Sequence, residues 1–306
     1  MSLKIVFMGT PKFSIPTLET LIKNNFNILK VYTQPPKKSK RGQKINISPI
    51  QDFSIKNKLD FRNPDNLNTD EELKIFRELS ADLAVVVAYG KLIPKNFLTL
   101  TRYGFINIHA SLLPKWRGAA PIQRAIMNGD KNTGISIMKI VEKLDSGPIL
   151  KTKELQLDQS KTYGEIEKKL SVIGADLLIE SLKNIENNQL KFKEQIDTDA
   201  TYAKKIDKNE TKINWRLEAN NLVRHIHGLS PNPGAWFEYE KERFKVLRVK
   251  EMLKNGKPGY VIDQNLTVAC KSNSIQILEL QRQGKKKQTA KEFLLGKKIN
   301  SGTLLS

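Results

Sequence analysis

Asn107 and His109 stand two residues apart in an apolar run, Phe105-Ile106-Asn107-Ile108-His109. On a strand, residues two apart point to one face, so a carboxamide and an imidazole stand side by side at the strand's C-terminal end. A third group, Asp145, lies in the turn sequence Lys143-Leu144-Asp145-Ser146-Gly147-Pro148. Each has an ordinary explanation: an Asn satisfying loop backbone, a packed His, common Asp-Ser-Gly turn chemistry. Together they suit transfer of a carbonyl group. An imidazole moves a proton near neutral pH, an acid orients the ring and favours its charged form, and a carboxamide N–H donates to a developing oxyanion.

Other chemistries fit less well. Ser111 has no G-x-S-x-G context, and no P-loop is present. His225 and His227 are the sole close histidine pair, but no carboxylate or cysteine spacing completes a metal site. They are expected on a helix surface or against phosphate. Gly9-Thr10-Pro11 follows an apolar run as a dinucleotide turn does, but the G-x-G-x-x-G spacing is missing.

The elements that must position the trio follow from pattern. Residues 3–8, 26–33 and 82–88 read as strands, the last a β-branched run of the kind covered on both faces. Helices are expected from Ser14-Ile15-Pro16, from Ser48-Pro49, over 69–79 behind a Thr69-x-x-Glu72 capping box, and over 121–127. Another strand is expected over 134–141. Residues 161–187 carry Ile166, Leu170, Ile173, Leu177, Leu178, Leu182 and Ile185 at helical spacing. Alternating strands and helices predict an α/β domain with a doubly wound, mostly parallel sheet over residues 1–189. Residues 190–206 are polar and aperiodic, as a linker is. In 207–306 a helix over 219–227 precedes short alternating runs (235–239, 243–249, 259–262, 266–270, 274–280), which predict a small β-barrel of OB-like type. A Thr289-x-x-Glu292 capping box opens a last helix.

Charge bears on the partner. Of 306 residues 52 are Lys or Arg and 32 Asp or Glu, a formal net charge of +20 that favours an anionic partner, nucleic acid before membrane. Residues 207–306 alone hold 19 Lys and Arg against 10 Asp and Glu. Behind Pro35-Pro36, five cations fall in eight residues: Lys37, Lys38, Lys40, Arg41 and Lys44. This segment reads as a solvated loop or as a basic arm for phosphate. Cys270 is the single cysteine, so no internal disulfide forms, and its strand context predicts a buried, inert thiol. The apolar start is too short for a signal peptide or membrane span, and a cytoplasmic location is expected.

The run Asn107-Ile108-His109-Ala110-Ser111-Leu112-Leu113-Pro114, then Trp116-Arg117-Gly118-Ala119-Ala120-Pro121-Ile122 and Leu144-Asp145-Ser146-Gly147-Pro148-Ile149, resembles the formyltransferase family that uses 10-formyltetrahydrofolate. The Phe7-Met8-Gly9-Thr10-Pro11 start, the basic loop after Gln34 and the Val87-Ala88-Tyr89-Gly90 turn fall in that family's order, and the likeness covers nearly the whole chain. The resemblance implies a Rossmann-like catalytic domain (1–189), a linker (190–206) and a tRNA-binding barrel (207–306). It implies catalytic roles for Asn107, His109 and Asp145, and a tetrahydrofolate segment at Ser111, Leu112, Leu113 and Pro114. Val86, Val87, Ala88, Tyr89 and Gly90 are then expected along the pterin pocket, and Arg41, Lys38, Lys40 and Lys44 at the tRNA acceptor end. The implied formyl donor is 10-formyltetrahydrofolate with no metal, and the implied acceptor is initiator methionyl-tRNA. No membrane or stable protein partner is implied, and a monomer is expected. A related enzyme acting on an amino sugar nucleotide or glycinamide ribonucleotide shares the trio but needs no basic arm. A silent RNA-binding descendant has no chemical reason to keep all three groups.

Overall fold

The computed structural model describes residues 3–39, 44–187 and 189–306. In chain order, β1 (Lys4–Gly9) is buried from its second residue onward. α1 (Ile15–Lys23) has Pro16 in its first turn and buries Thr17, Leu18 and Leu21, one helical face. Ser14 does not cap it; its hydroxyl donates to the Val87 carbonyl at 2.6 Å. After β2 (Asn27–Tyr32), β3 (Lys37–Ser39) and β4 (Lys44–Asn46) pair antiparallel, so part of the basic segment is strand rather than open loop. Pro35 and Pro36 precede that pairing, where a missing amide costs no ladder bond. α2 (Pro49–Lys56) is capped by the Ser48 hydroxyl, which accepts from the Gln51 amide at 2.9 Å.

Next come β5 (Phe61–Arg62), α3 (Asp70–Glu78), β6 (Leu83–Val87) and α4 (Lys95–Leu98). Thr69 caps α3 by accepting from the Glu72 amide at 3.2 Å, but the Glu72 carboxylate binds Arg62, so half of the expected box forms. A charge-assisted bond to a guanidinium outcompetes a neutral backbone amide for that carboxylate. β7 (Phe105–His109), β8 (Arg117–Gly118), α5 (Pro121–Asn128), β9 (Asn132–Lys139), β10 (Ile149–Gln156), α6 (Tyr163–Glu186) and β11 (Tyr202–Ala203) follow. The chain ends with α7 (Ala219–Leu229), β12 (Ala235–Tyr239), β13 (Glu242–Met252), β14 (Thr267–Ala269), β15 (Ser274–Arg282), β16 (Lys287–Thr289) and α8 (Ala290–Gly296).

These elements pack as two units: Met1–Gly118, Gly134–Leu155 and Lys168–Tyr202 in the first, and Ala119–Thr133, Gln156–Glu167 and Ala203–Ser306 in the second. The first is built on a seven-stranded sheet in the order β10-β9-β7-β6-β1-β2-β5. From β5 to β7 neighbouring strands run parallel, and β9 runs antiparallel to β7. The mostly parallel expectation is met. The sheet grows from β1 toward β2 on one side and toward β6 on the other, and ligands in such sheets bind beyond the carboxyl ends at that switch. Register brings those ends together: Gly9 pairs with Val87, and Val86 with Asn107.

In the second unit β12, β13, β15 and β14 form an antiparallel sheet, with β16 on β15. Residues 259–262 do not form a regular strand but still bridge their neighbours, Val261 to Val268 and Tyr260 to Leu304. Glu238 and Ser306 exchange backbone bonds of 2.6 and 3.1 Å. Phe237 and Phe244 stack at 5.5 Å in the core, beneath Leu222, Ile226 and Leu229 of α7. Among the described residues no helix is long and apolar enough to cross a membrane.

Candidate active site

His109 ends β7 with 5% of its surface exposed. Its Nε2 lies 3.0 Å from the Trp116 carbonyl oxygen. A carbonyl only accepts, so Nε2 carries the proton. Nδ1 faces Asp145 Oδ2 at 3.7 Å, too long for a full hydrogen bond but close enough to set a carboxylate against the ring's second nitrogen. The same oxygen accepts from the Gly118 amide at 2.8 Å. Asp145 itself has φ +47°, a left-handed conformation that a short polar side chain tolerates better than most. Asn107 is partly exposed on the same strand, and among the described residues nothing hydrogen-bonds its carboxamide. The structure thus brings the three expected groups to one strand end and one turn of one unit.

The loop that supplies the Trp116 carbonyl and Gly118 amide is held by side chains from three directions. Ser136 of β9, fully buried, donates to the Ser111 carbonyl at 2.7 Å and accepts from the Leu113 amide at 3.0 Å. Ser111 spends its own hydroxyl on the Lys115 carbonyl at 2.6 Å. Trp116, at φ +61°, gives its amide to Thr201 Oγ1 at 2.9 Å, and the Arg117 amide goes to the Thr201 carbonyl at 2.9 Å. The Arg117 side chain is completely enclosed. Its Nε and Nη2 both donate to Gln195 Oε1 (3.0 and 2.8 Å), and Nη1 donates to Asp197 Oδ1 at 2.8 Å. Gln195 Nε2 in turn donates to the carbonyls of Asp145 and Gly147, at 2.9 and 2.7 Å. A Cβ on Gly147 would fall 1.9 Å from the Lys139 carbonyl, so only glycine fits that turn. Lys143 and Arg117 together hold the Asp197 carboxyl below its usual range.

Sequence reasoning missed this support. Trp116 and Gly118 act through backbone atoms, which carry no residue-type signal, and Gln195 to Thr201 sit in the stretch that reads as a linker. The one available signal was Arg117 itself, a cation inside a motif of apolar and turn residues.

The residues expected along the folate divide by exposure. Val86, Val87, Tyr89, Ser111 and Leu113 are buried, whereas Ala88 and Gly90 are exposed and Leu112 and Pro114 partly so. Ala88 (φ +46°) and Gly90 (φ +79°) turn the chain sharply after β6. The turn is pinned at the Tyr89 carbonyl, which accepts from Thr10 Oγ1 at 2.7 Å and Gln34 Nε2 at 3.0 Å. Gln34 Oε1 accepts from Lys37 Nζ at 2.6 Å, tying the start of the basic segment to the same turn. Thr10 and Gln34 were not singled out from sequence. Of the expected tRNA contacts, Lys40 and Arg41 lie outside the described residues, and Lys38 and Lys44 are described by backbone alone.

The other two histidines correct an expectation. They are neither at the helix surface nor free for phosphate. His225 Nε2 meets the Glu210 carbonyl at 2.7 Å. His227, 2% exposed, gives Nδ1 to the Gln159 carbonyl at 3.0 Å and accepts the Val249 amide on Nε2 at 3.3 Å. Burial pushes the pKa of both rings down. His227 is among the residues α7 buries, with Leu222, Ile226 and Leu229, whereas His225 is half-buried and held by the Glu210 carbonyl. Cys270 is buried, and its thiol is pushed up to about 12 by burial. Among the described residues no three His, Cys, Asp or Glu groups converge as a metal site.

Similarity to known proteins agrees with this geometry. The formyl transferase family model matches residues 3–182, and the model of the formyl transferase C-terminal domain matches residues 205–298. A methionyl-tRNA formyltransferase from Pelagibacter ubique is 51% identical, with 100% of this chain and 99% of that protein aligned. One from Chelativorans is 45% identical, over the whole of both chains. The crystal structure of HypX from Aquifex aeolicus in complex with tetrahydrofolic acid superposes with a TM-score of 0.65 at 13% identity. That match covers 99% of this chain and 51% of HypX, so the chain spans about half the length of that protein and shares its fold. With 3–182 and 205–298 both matched and full-length relatives at this identity, the chain belongs to the formyltransferase family.

Proposed function

We propose that this chain transfers the formyl group of 10-formyltetrahydrofolate to the amino group of initiator methionyl-tRNA, giving formylmethionyl-tRNA for translation initiation. The observation that carries the reading is identity to curated methionyl-tRNA formyltransferases along the entire chain, including the stretch that places Asn107, His109 and Asp145 together.

The chemistry follows from those groups. An α-amino group titrates near ~8 in model peptides, so a neutral fraction exists at pH 7 and a strong base is not the main need. The amine nitrogen bonds to the formyl carbon, the carbon–N10 bond breaks, and the proton lost by the amine is returned to N10. The free Asn107 carboxamide N–H donates to the carbonyl oxygen as it gains charge. His109 stands beside it with Nε2 held by Trp116, and its Nδ1 edge is not committed to a full hydrogen bond. That edge donates to the oxyanion and relays the proton, directly or through water, while Asp145 balances the ring's charge. The folate fits against Ala88, Gly90, Leu112 and Pro114, whose surfaces remain open while Val87 and Ser111 are shut in the core. Ser111 and Val87 then act by shaping the backbone rather than by touching the pterin.

The functional division assigned is a catalytic domain over 1–189, a linker over 190–206 and a tRNA-binding domain over 207–306. The bridges through 259–262 and 303–306 support reading the second unit's curled sheet as a small OB-like barrel. The basic segment with Lys38, Lys40, Arg41 and Lys44 contacts the acceptor end, and the enzyme acts in the cytoplasm as a monomer.

The test is direct: incubate the protein with 10-formyltetrahydrofolate and charged methionyl-tRNA, and detect formylmethionine after deacylation. Formylation of an amino sugar nucleotide in place of the aminoacyl-tRNA would move the assignment to the related enzymes.

A further inference from the structure

Gln195 lies in a segment with no periodicity and no motif, yet it uses every polar atom of its side chain. Its carbonyl oxygen takes two N–H groups from the enclosed Arg117, which fixes the orientation of the amide. Its NH2 group then has both protons aimed at the turn, at Asp145 O and Gly147 O. That turn needs holding, because Asp145 sits in a left-handed conformation and its carboxylate faces His109 across 3.7 Å. Arg117 is flanked by the two backbone groups that touch the pair: the Trp116 carbonyl on His109 and the Gly118 amide on Asp145. A closed ring results, running from His109 through Trp116, Arg117, Gln195 and Asp145 back to the imidazole.

Resting on the formyl-transfer reading above, we propose that Gln195 is a positioning residue for that reaction. Clamped by Arg117, it sets where the Asp145 carboxylate stands relative to His109. It touches no substrate. Its loss therefore lowers kcat and leaves the KM values for folate and tRNA nearly unchanged, whereas a general loosening of the unit would raise KM as well.

The decisive variant is Gln195→Glu. A carboxylate still accepts both Arg117 N–H groups, so the buried guanidinium keeps its partner, but the two donors to the turn are gone. Gln195→Met, of similar size and with no donor or acceptor, is the second variant should the first fail to fold. Displacement of a reacting group by a fraction of an ångström predicts a kcat reduced on the order of tenfold to a hundredfold, with KM for each substrate within about threefold. Gln195→Glu loses two hydrogen bonds and sets a carboxylate oxygen against two carbonyls, so its thermal midpoint falls and kcat is read well below it. In an Asp145→Asn background the same substitution adds little, because both act through one carboxylate. Should Asp145→Asn leave no measurable rate, the kcat and KM of the single variants decide alone. A folded Gln195→Glu protein with kcat within about twofold of wild type overturns the proposal, as does an undiminished loss in the Asp145→Asn background. Wild-type protein that makes no formylmethionyl-tRNA would instead overturn the reading on which the proposal rests.

Discussion

His109 and His227 are alike in most respects that a sequence or a burial profile records. They are 5% and 2% exposed, and each gives one ring nitrogen to a main-chain carbonyl 3.0 Å away. The difference is at the second nitrogen. In His227 that nitrogen accepts the Val249 amide, so the ring is held neutral and burial pushes its pKa down. In His109 it faces the Asp145 carboxylate across 3.7 Å. The carboxylate is itself held by the Gly118 amide and by a turn clamped at Gln195. A buried histidine is structural or chemical according to the one group opposite its free nitrogen, and that group comes from elsewhere in the chain.

Exchanging the roles should separate rate from stability. The largest effect is expected at the first site. His109→Ala removes the proton relay and should lower kcat by about 10²–10⁴-fold, and Asn107→Ala should cost on the order of 3 kcal/mol in the barrier. Both are measured as formylmethionine formed per unit time, with Tm within a few degrees of wild type. If Asn107→Ala kept kcat within a few-fold, the oxyanion role would be lost. His227→Ala should do the reverse. It opens a cavity and strips partners from the Gln159 carbonyl and Val249 amide, a destabilisation of about 2–4 kcal/mol by urea titration. Its kcat, taken well below the midpoint, should stay within a few-fold; a rate loss matching that of His109→Ala would erase the contrast.

pH sharpens the same contrast. Free imidazole titrates near ~6.5, and burial places both His225 and His227 below that in the folded protein. Below ~6.5 the unfolded chain binds more protons than the native one, so stability present above that value drains away as pH falls through the folded midpoints. The urea midpoint should therefore drop between pH 7.5 and 5. A midpoint flat across that window would mean the rings are not held neutral. The smallest effects belong to the basic segment. Each of Lys38→Ala and Lys40→Ala should make the slope of log K for tRNA against log[salt] shallower by roughly 0.7 to 0.9, if each meets one phosphate. Unchanged slopes would remove those lysines from the interface.

The trio was legible because Asn107, His109 and Asp145 act through side chains, and side-chain type is what a sequence displays. The parallel sheet was legible because β6 is five consecutive buried residues, a pattern a two-faced strand requires. β10 was not. None of its eight residues is buried and Lys151 to Glu154 break its apolar run, as in an edge strand, so it gives no continuous apolar signal. The clamp was hidden for a related reason. Gln195, Asp197 and Thr201 work by bonding backbone carbonyls, amides and one enclosed arginine, contacts that impose no spacing on the residues that make them. His225 and His227 were misplaced because two polar residues on a helix look exposed until both are found bonded to main-chain atoms.

The buried thiol has a practical consequence. Cys270 is the chain's one cysteine, and a thiol whose pKa is pushed up to about 12 is almost wholly protonated under ordinary labelling conditions. Maleimide dyes should pass it by, so the natural sequence already serves as a silent background for single-site labelling. A cysteine placed at Lys37, exposed and bonded to Gln34, would carry a fluorophore beside the Tyr89 turn. Its emission could then follow folate and tRNA arrival separately, in a stopped-flow instrument, without altering any other residue.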